Sequence, residues 1–176
     1  MRKLILIVLA SAIAVGAAFT AGDHAFVGVK KCKMCHKSEK NGLVFEKWEA
    51  GPHAKAFATL QSDSAKKISA GLKKSKPPHE DPDCLSCHIT GFGAPDSLIA
   101  SVVREDGVTC EACHGAGGDY WKKSVMEDRA KSISFGLTEK PKEVCVTCHN
   151  EKSPTYRAFD LDERWAKIAH GLPQGE

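Results

Sequence analysis

The stretch that decides the fold reads Gly107-Val-Thr-Cys-Glu-Ala-Cys-His-Gly-Ala-Gly-Gly118. Its central pattern, Cys-x-x-Cys-His, is typical of attachment sites for c-type haem. Two cysteines three residues apart project from one side of a helical turn, so both thiols can reach the two vinyl groups of one porphyrin. The histidine that follows at once can bind the iron from one face of the same macrocycle. The pattern therefore predicts a covalent cofactor together with one of its axial ligands.

The same pattern occurs four times in the 176-residue chain. Its cysteines are Cys32, Cys35, Cys84, Cys87, Cys110, Cys113, Cys145 and Cys148, and its histidines are His36, His88, His114 and His149. All eight cysteines lie in these motifs, so none is left for a disulfide bond or a free thiol. Two zinc sites built from Cys-x-x-Cys pairs are the alternative, but zinc would not require a histidine after every second cysteine. We therefore predict four covalently bound haem c groups with their iron.

Four histidines lie outside the motifs, as many as the axial positions that the motif histidines leave open. They are His24, His53, His79 and His170. Their number allows two histidine ligands at every iron, and histidine pairs favour lower reduction potentials than histidine–methionine pairs. Of the methionines after the N-terminal leader, Met34 lies inside a motif and Met126 fits a helix core. The sequence therefore indicates electron transfer at low potential and no catalytic residue.

The position of each of these histidines suggests how it could serve as the second, distal ligand. His53 stands at a predicted helix start beside small residues, and His170 lies on a helix whose apolar face must be covered. His24 belongs to an N-terminal arm, whereas His79 lies in a proline-rich loop. A short tether cannot easily carry the chain to the opposite face of one ring. We therefore expect each distal histidine to serve a motif distant from it in sequence.

The first 21 residues read as a cleaved secretory signal peptide. Arg2 and Lys3 precede an apolar run from Leu4 to Val15, and small residues follow at a suitable cleavage site. Residues 22–176 then form one tetrahaem cytochrome domain that is periplasmic or extracellular, which agrees with haem attachment outside the cytoplasmic membrane. No later segment is apolar enough to cross a bilayer, so we expect no stable membrane span after cleavage.

The charge of the chain gives no indication of a nucleic-acid partner. The formal net charge is +3, and removal of Arg2 and Lys3 leaves +1. Propionates of four haems would bring the mature protein to roughly −7. The sequence also contains no nucleic-acid-binding motif. The lysines between 66 and 76 form either a solvated face or a docking face for an acidic redox partner.

Helix signals outnumber strand signals along the chain. Apolar spacing and breakers predict helices over residues 43–48, 53–60, 63–72, 119–129 and 160–170. Asp63 and Asp119 are candidate N-caps, and Val102-Val103 is a candidate short strand or buried extended run. We predict a mainly α, loop-rich protein in which the four haems form much of the core and without which it does not fold.

The chain resembles the tetrahaem cytochrome c-554 family. The resemblance runs from about Gly28 to His170 and rests on motifs in a characteristic order. These motifs are Lys30-Lys-Cys-Lys-Met-Cys-His-Lys37, Trp48 followed by His53-Ala-Lys-Ala56, Asp83-Cys-Leu-Ser-Cys-His88 with Gly91-Phe-Gly93, Gly107-Val with Cys110-Glu-Ala-Cys-His-Gly115, and Cys145 to His149 with Ser153-Pro154. It implies a mainly helical fold with haems packed in stacked and near-perpendicular pairs.

The resemblance also implies roles for individual histidines. It implies that His53 is a distal ligand, and that the distal histidine beyond the last motif is His170. The family often has a histidine shortly after the third motif, whereas this chain has Gly118-Asp-Tyr120, so His24 is the candidate replacement. In the family the haem on the second motif can lack a distal protein ligand, which leaves open whether His79 fills that position here.

These observations favour an electron carrier over an enzyme, with redox proteins of unidentified kind as donor and acceptor. One alternative is a small reductase of nitric oxide, nitrite or hydroxylamine, which would need a five-coordinate haem on the second motif with His79, Glu80 and Asp81 as proton donors. Another is a homo-oligomer in which subunits stack haem to haem as an extracellular conduit.

Overall fold

The computed structural model describes residues 24–158 and 160–171 of the chain. The predicted signal peptide, residues 1–21, lies outside the described residues. Within the two described ranges all regular secondary structure is helical and no strand is present, so Val102-Val103 is not a strand. It is not a buried run either, because the side chain of Val103 is exposed. This confirms the prediction of a mainly α, loop-rich fold.

The helices are short and are joined by turns and loops. The α-helices are α1 Val29–His36, α2 Val44–Ala50, α3 Ala56–Thr59, α4 Asp63–Gly71, α5 Pro82–His88, α6 Asp96–Ile99, α7 Cys110–His114, α8 Lys123–Met126, α9 Arg129–Ser134, α10 Cys145–Cys148 and α11 Leu161–Ile168. Turns of 3₁₀ helix occupy Glu39–Asn41, His53–Lys55, Arg104–Asp106 and Pro141–Val144. None of the described helices is both long and apolar enough to span a membrane. Helices of this length are not stable alone, so tertiary contacts must hold them.

Local hydrogen bonds decide where the predicted helices begin. Helix α4 is capped by Ser62, whose hydroxyl accepts from the Ala65 amide at 3.2 Å, so Asp63 is the first helical residue and not the N-cap. A serine hydroxyl directly before the helix competes successfully for this role. Helix α11 begins after Asp160, whose carboxylate accepts from the Glu163 amide at 2.8 Å.

Two other predicted helices differ more from the expectation. Residues 53–60 form a 3₁₀ turn followed by α3. The single helix expected over 119–129 is replaced by a turn followed by α8 and α9, and Asp119 caps neither of them. The second of these helices is capped by Asp128, which accepts from the Lys131 amide at 3.0 Å.

The apolar core is small for a chain of this length. One cluster of buried hydrophobic side chains contains Phe57, Leu60 and Leu85, where α3 and the residue after it pack on α5. Among the described residues, the other buried hydrophobic side chains are Val29, Phe45, Tyr120 and Val125. Met34 and Val146, which each lie between the two cysteines of a motif, have side chains that are more than half exposed. The protein alone therefore buries little apolar surface, which agrees with a core completed by cofactors.

A buried carboxylate ties the N-terminal arm to the third motif. Glu111 is 3% exposed and accepts hydrogen bonds from three backbone amides. Its oxygens lie 2.9 Å from the amides of Val27 and Gly28 and 2.7 Å from the amide of Gly117. Buried polar groups need such partners, and here the partners are distant in sequence. Glu111 thereby fixes the approach to α1 against the segment that follows α7.

We expect the chain to lose cooperative folding when haem cannot be attached. Replacing all eight motif cysteines by alanine should give a protein whose circular dichroism changes gradually with temperature, because the apolar core is too small to hold short helices. The holoprotein, measured under the same conditions, is the control. A sharp cooperative transition of the cysteine-free chain, with native helix content, would contradict this prediction.

Candidate haem-binding site

Each Cys-x-x-Cys-His motif forms one short helix, in α1, α5, α7 and α10. Helices α1, α5 and α7 end on the motif histidine, whereas His149 directly follows α10. In α5 the turn is set by Pro82 in the first helical position and by Asp81, which accepts from the Asp83 amide at 2.9 Å. The helical geometry places the two cysteines of a motif on one side, as attachment to one porphyrin requires.

The first and third motifs are neighbours in space. Helices α1 and α7 are in contact, and the thiols of Cys32 and Cys110 lie near each other. The neighbouring Cys110 thiol raises the pKa of the Cys32 thiol well above its ordinary value, and burial raises it further. The Cys32 thiol in turn lowers the pKa of Cys110. Two motifs that are far apart in sequence thus present their cysteines to a common region.

The third motif also lies near the fourth, and the fourth lies near the second. Burial raises the pKa of Cys113 to about 11, and the nearby Cys145 of the fourth motif raises it further. Burial also raises the pKa of Cys148, and Cys87 of the second motif adds to this shift. The motifs are therefore adjacent in the order first, third, fourth and second, which differs from their order along the chain.

Two histidine pairs have ring centres separated by nearly the distance expected for two imidazoles on one metal ion. The ring centres are 6.1 Å apart in the pair His53 and His149, and 5.9 Å apart in the pair His114 and His170. Two imidazoles that bind one metal ion from opposite sides have ring centres about 6.5 Å apart, since each metal–nitrogen bond is about 2 Å long. In both pairs the histidine from outside the motifs faces a motif that is not its nearest in sequence.

Burial favours the neutral form of the imidazoles of His36, His53 and His114. Burial lowers the pKa of His53, and the nearby His149 lowers it further. Burial also lowers the pKa of His114, with His170 and then His36 as additional causes. His170 similarly adds to the effect of burial in lowering the pKa of His36, so it lies near the histidines of both the first and the third motifs. Neutral imidazole is the form that binds metal.

In three histidines a contact at Nδ1 leaves the other ring nitrogen, Nε2, available to bind a metal ion. The Nδ1 atom of His24 lies 2.6 Å from a carboxylate oxygen of Asp119, and that of His88 lies 2.7 Å from the backbone oxygen of Ala56. The Nδ1 atom of His170 lies 3.1 Å from the backbone oxygen of Ile168. An acceptor oxygen at this position requires a proton on Nδ1, which leaves the lone pair of Nε2 free for iron.

His79 has a different environment from the other three histidines outside the motifs. Its side chain is 35% exposed, and its Nε2 atom lies 3.7 Å from a carboxylate oxygen of Glu80. Its Nδ1 atom is buried and has no hydrogen-bond partner in the described part of the chain. A buried polar atom without a partner is expected where a further group binds.

The segment that carries His53 is held by contacts from the start of the third motif. The indole nitrogen of Trp48 donates to the backbone oxygen of Val108 at 2.9 Å, and the Val108 amide donates to the backbone oxygen of His53 at 3.0 Å. Gly107 adopts a φ of +66°, and a Cβ atom there would lie 2.7 Å from the same oxygen of His53. The sequence motifs include Trp48 and Gly107-Val108, but they give no sign that these residues hold the segment that carries His53.

These observations fit haem c better than zinc. In the described ranges, no three or more histidine, cysteine or acidic side chains are arranged to hold a metal ion between them. Two histidines from outside the motifs instead lie beside motif histidines, and each of these two pairs joins a motif to a distant segment. Paired imidazoles beside Cys-x-x-Cys helices provide attachment and axial ligands for a flat cofactor.

Comparisons with known proteins agree with this chemistry. The sequence profile of a family described as cytochrome c554 and c-prime matches residues 31–115, which contain the first three motifs. Cytochrome c-554 of Nitrosomonas europaea is 33% identical over 148 residues, a match that covers 73% of this chain and 59% of that protein. The chain therefore spans about three fifths of the length of this curated relative. No solved structure matches the chain.

We expect Gly107→Ala to displace the segment that carries His53. The added Cβ atom would overlap the backbone oxygen of His53 and strain the backbone, at a cost of about 1–3 kcal/mol in folding free energy. Thermal unfolding should show a lower Tm, and electron paramagnetic resonance should show a new high-spin iron signal. The matched control is Gly71→Ala, since a Cβ atom at Gly71 meets nothing within 4 Å. Equal Tm values for the two variants would contradict the prediction.

Proposed function

The chain belongs to the cytochrome c-554 family, and on that premise we propose that it is an electron-transfer protein carrying four covalently attached c-type haems. The observation that supports the proposal most strongly is the spacing of the ring centres in two imidazole pairs, at 6.1 Å and 5.9 Å. This spacing suits iron with both axial positions filled. The proposal makes the protein a carrier of electrons and not a catalyst.

Attachment is assigned to the cysteines of the four motifs, and the first axial ligand to His36, His88, His114 and His149. When bound, the haems supply iron that changes reversibly between its ferric and ferrous states. The short motif helices orient the thiols and the following imidazole toward one face of a porphyrin. Covalent attachment keeps the group on the protein in both oxidation states.

The second axial ligands in this proposal are His53 opposite His149 and His170 opposite His114. Both imidazoles of each pair come from the protein, so together they would hold the iron and would exclude water from it. A donor set of two histidines favours a low reduction potential. His24 and His79 are assigned to the remaining open positions, where His24 has its Nδ1 atom fixed and His79 has one buried nitrogen without a partner.

The neighbour order of the motifs supports the carrier function. The cysteine contacts link the first motif to the third, the third to the fourth, and the fourth to the second. Cofactors attached to such a continuous series of motifs would leave no isolated redox centre. A carrier needs this arrangement because it accepts and delivers electrons at different parts of its surface.

The reductase alternative depends on the region before the second motif. It requires an open iron beside proton donors, and His79, Glu80 and Asp81 were the candidates for that role. Asp81 is buried, caps α5 and lies 3.6 Å from the ammonium group of Lys74, so it is engaged in structure. His79 and Glu80 then remain as the groups on which this alternative depends.

We further propose that the mature protein is periplasmic or extracellular and exchanges electrons with protein partners. The leader sequence supports this location, since haem c is attached after export. We propose no nucleic-acid partner and no stable membrane span after cleavage. Association of subunits into a haem conduit is the remaining alternative, and electron microscopy of the secreted fraction would test it, with monomers alone counting against it.

We expect the purified protein to contain four haems per chain, all low-spin when oxidised. The pyridine haemochrome assay gives the haem content, and electron paramagnetic resonance gives the spin state. His79→Ala should convert one low-spin centre to high-spin if His79 is an axial ligand. A high-spin signal in the unmodified protein that disappears with nitric oxide would support the reductase alternative instead.

We expect His53→Ala and His170→Ala each to convert one low-spin centre to high-spin. Removal of one imidazole opens an axial position, and the potential of that centre should rise because the histidine pair that favours low potential is lost. Spectroelectrochemical titration measures the potential. The control is Lys55→Ala, an exposed change within two residues of His53 that removes no imidazole. Spectra that stay the same in both histidine variants would contradict the ligand assignment.

A further inference from the structure

We propose that Asp119 is a positioning residue that orients His24 as an axial haem ligand. This inference rests on the haem ligation proposed above and extends it to a side chain outside the histidine and cysteine set. It assigns a role to the place after the third motif where the expected histidine is absent and Gly118-Asp-Tyr120 stands instead.

The first observation is a short hydrogen bond between distant residues. A carboxylate oxygen of Asp119 lies 2.6 Å from Nδ1 of His24, across a sequence separation of 95 residues. The His24 side chain is 24% exposed and that of Asp119 is 57% exposed, so the imidazole is the more enclosed partner. The contact fixes the proton on Nδ1 and leaves Nε2 as the free nitrogen.

The second observation is that backbone hydrogen bonds fix the segments that carry His24 and Asp119. The Gly118 amide donates to the backbone oxygen of Ala25 at 2.7 Å, directly beside the contact between His24 and Asp119. A Cβ atom at Gly118 would lie 2.6 Å from that oxygen, so the close approach requires glycine. The Phe26 amide adds a bond to the backbone oxygen of Leu98 at 2.7 Å. The arm is therefore docked next to the ring that it presents.

The third observation concerns the space around the ring. Gly136, with a φ of +100°, lies against the imidazole, and a Cβ atom there would be 2.7 Å from Cδ2 of His24. The ring therefore rests on bare backbone while Asp119 holds its Nδ1 atom. Together these contacts restrict both the position and the rotation of the imidazole.

A carboxylate acceptor does more than orient the ring. A histidine that donates its second N–H to a carboxylate becomes a more basic ligand, an effect established for metal-binding histidines in general. A stronger donor favours ferric iron, so Asp119 should lower the reduction potential of the centre that His24 serves. A merely structural role would leave that potential unchanged.

The test compares Asp119→Asn and Asp119→Glu in the holoprotein. The asparagine variant keeps the size but loses the charge, and we expect one of the reduction waves to move to higher potential and one low-spin signal to change its g values. The glutamate variant should restore both properties in large part. The control is Asp63→Asn, which removes an exposed carboxylate that lies 2.9 Å from Lys66 and far from this ring in sequence.

His24→Ala separates failure of this inference from failure of the ligand assignment. If His24→Ala creates a high-spin centre while Asp119→Asn leaves all potentials and g values unchanged, the role of Asp119 is wrong and the ligation stands. If His24→Ala leaves every low-spin centre intact, the ligand assignment is wrong and the inference fails with it. Haem content and circular dichroism, measured for each variant, show that the protein is folded and fully loaded.

Discussion

The constraint on which the structure depends is the shortage of apolar side chains that the polypeptide can bury against one another. In the part of the chain that the structure describes, one small cluster, around Phe57, Leu60 and Leu85, resembles a conventional core. The helices are too short to be stable alone, and several contain motif cysteines where a core would place leucine or valine. A fold with this composition is organised around groups that the chain binds, and its own contacts mainly set where those groups lie.

Polar contacts between distant segments provide the order that the small core cannot. Glu111 joins two backbone amides of the N-terminal arm and one that follows the third motif, and Trp48 reaches the backbone just before that motif. Buried Thr90 and Thr109 bond to each other at 3.0 Å, connecting the end of the second motif to the start of the third. Such bonds are directional, so they fix positions more sharply than apolar packing does. The third motif is the centre of these contacts.

Sequence reasoning predicted what is repeated or local and missed what depends on tertiary contact. The spacing of cysteine and histidine predicted the motif helices, and the histidines outside the motifs included His53 and His170, which the fold brings opposite motif histidines. The role of Asp119 as a helix cap was wrong, because its carboxylate bonds to a ring 95 residues away and not to the next turn. Glu111 gave no signal, since an acidic residue inside a motif is normally solvent-exposed and its partners are backbone amides.

The position of His170 has a consequence for the C-terminal region. Helix α11 has no buried side chain, and ion pairs such as that between Lys142 and Asp162 lie at its surface. Exposed ion pairs contribute little stability, so the contact between His170 and His114 would carry much of the docking of this helix. Ligand exchange and local unfolding of this helix would then be coupled. Loss of His170 as a ligand would release the C-terminal segment. Conversely, a partner that binds this segment would change the ligands of a buried centre.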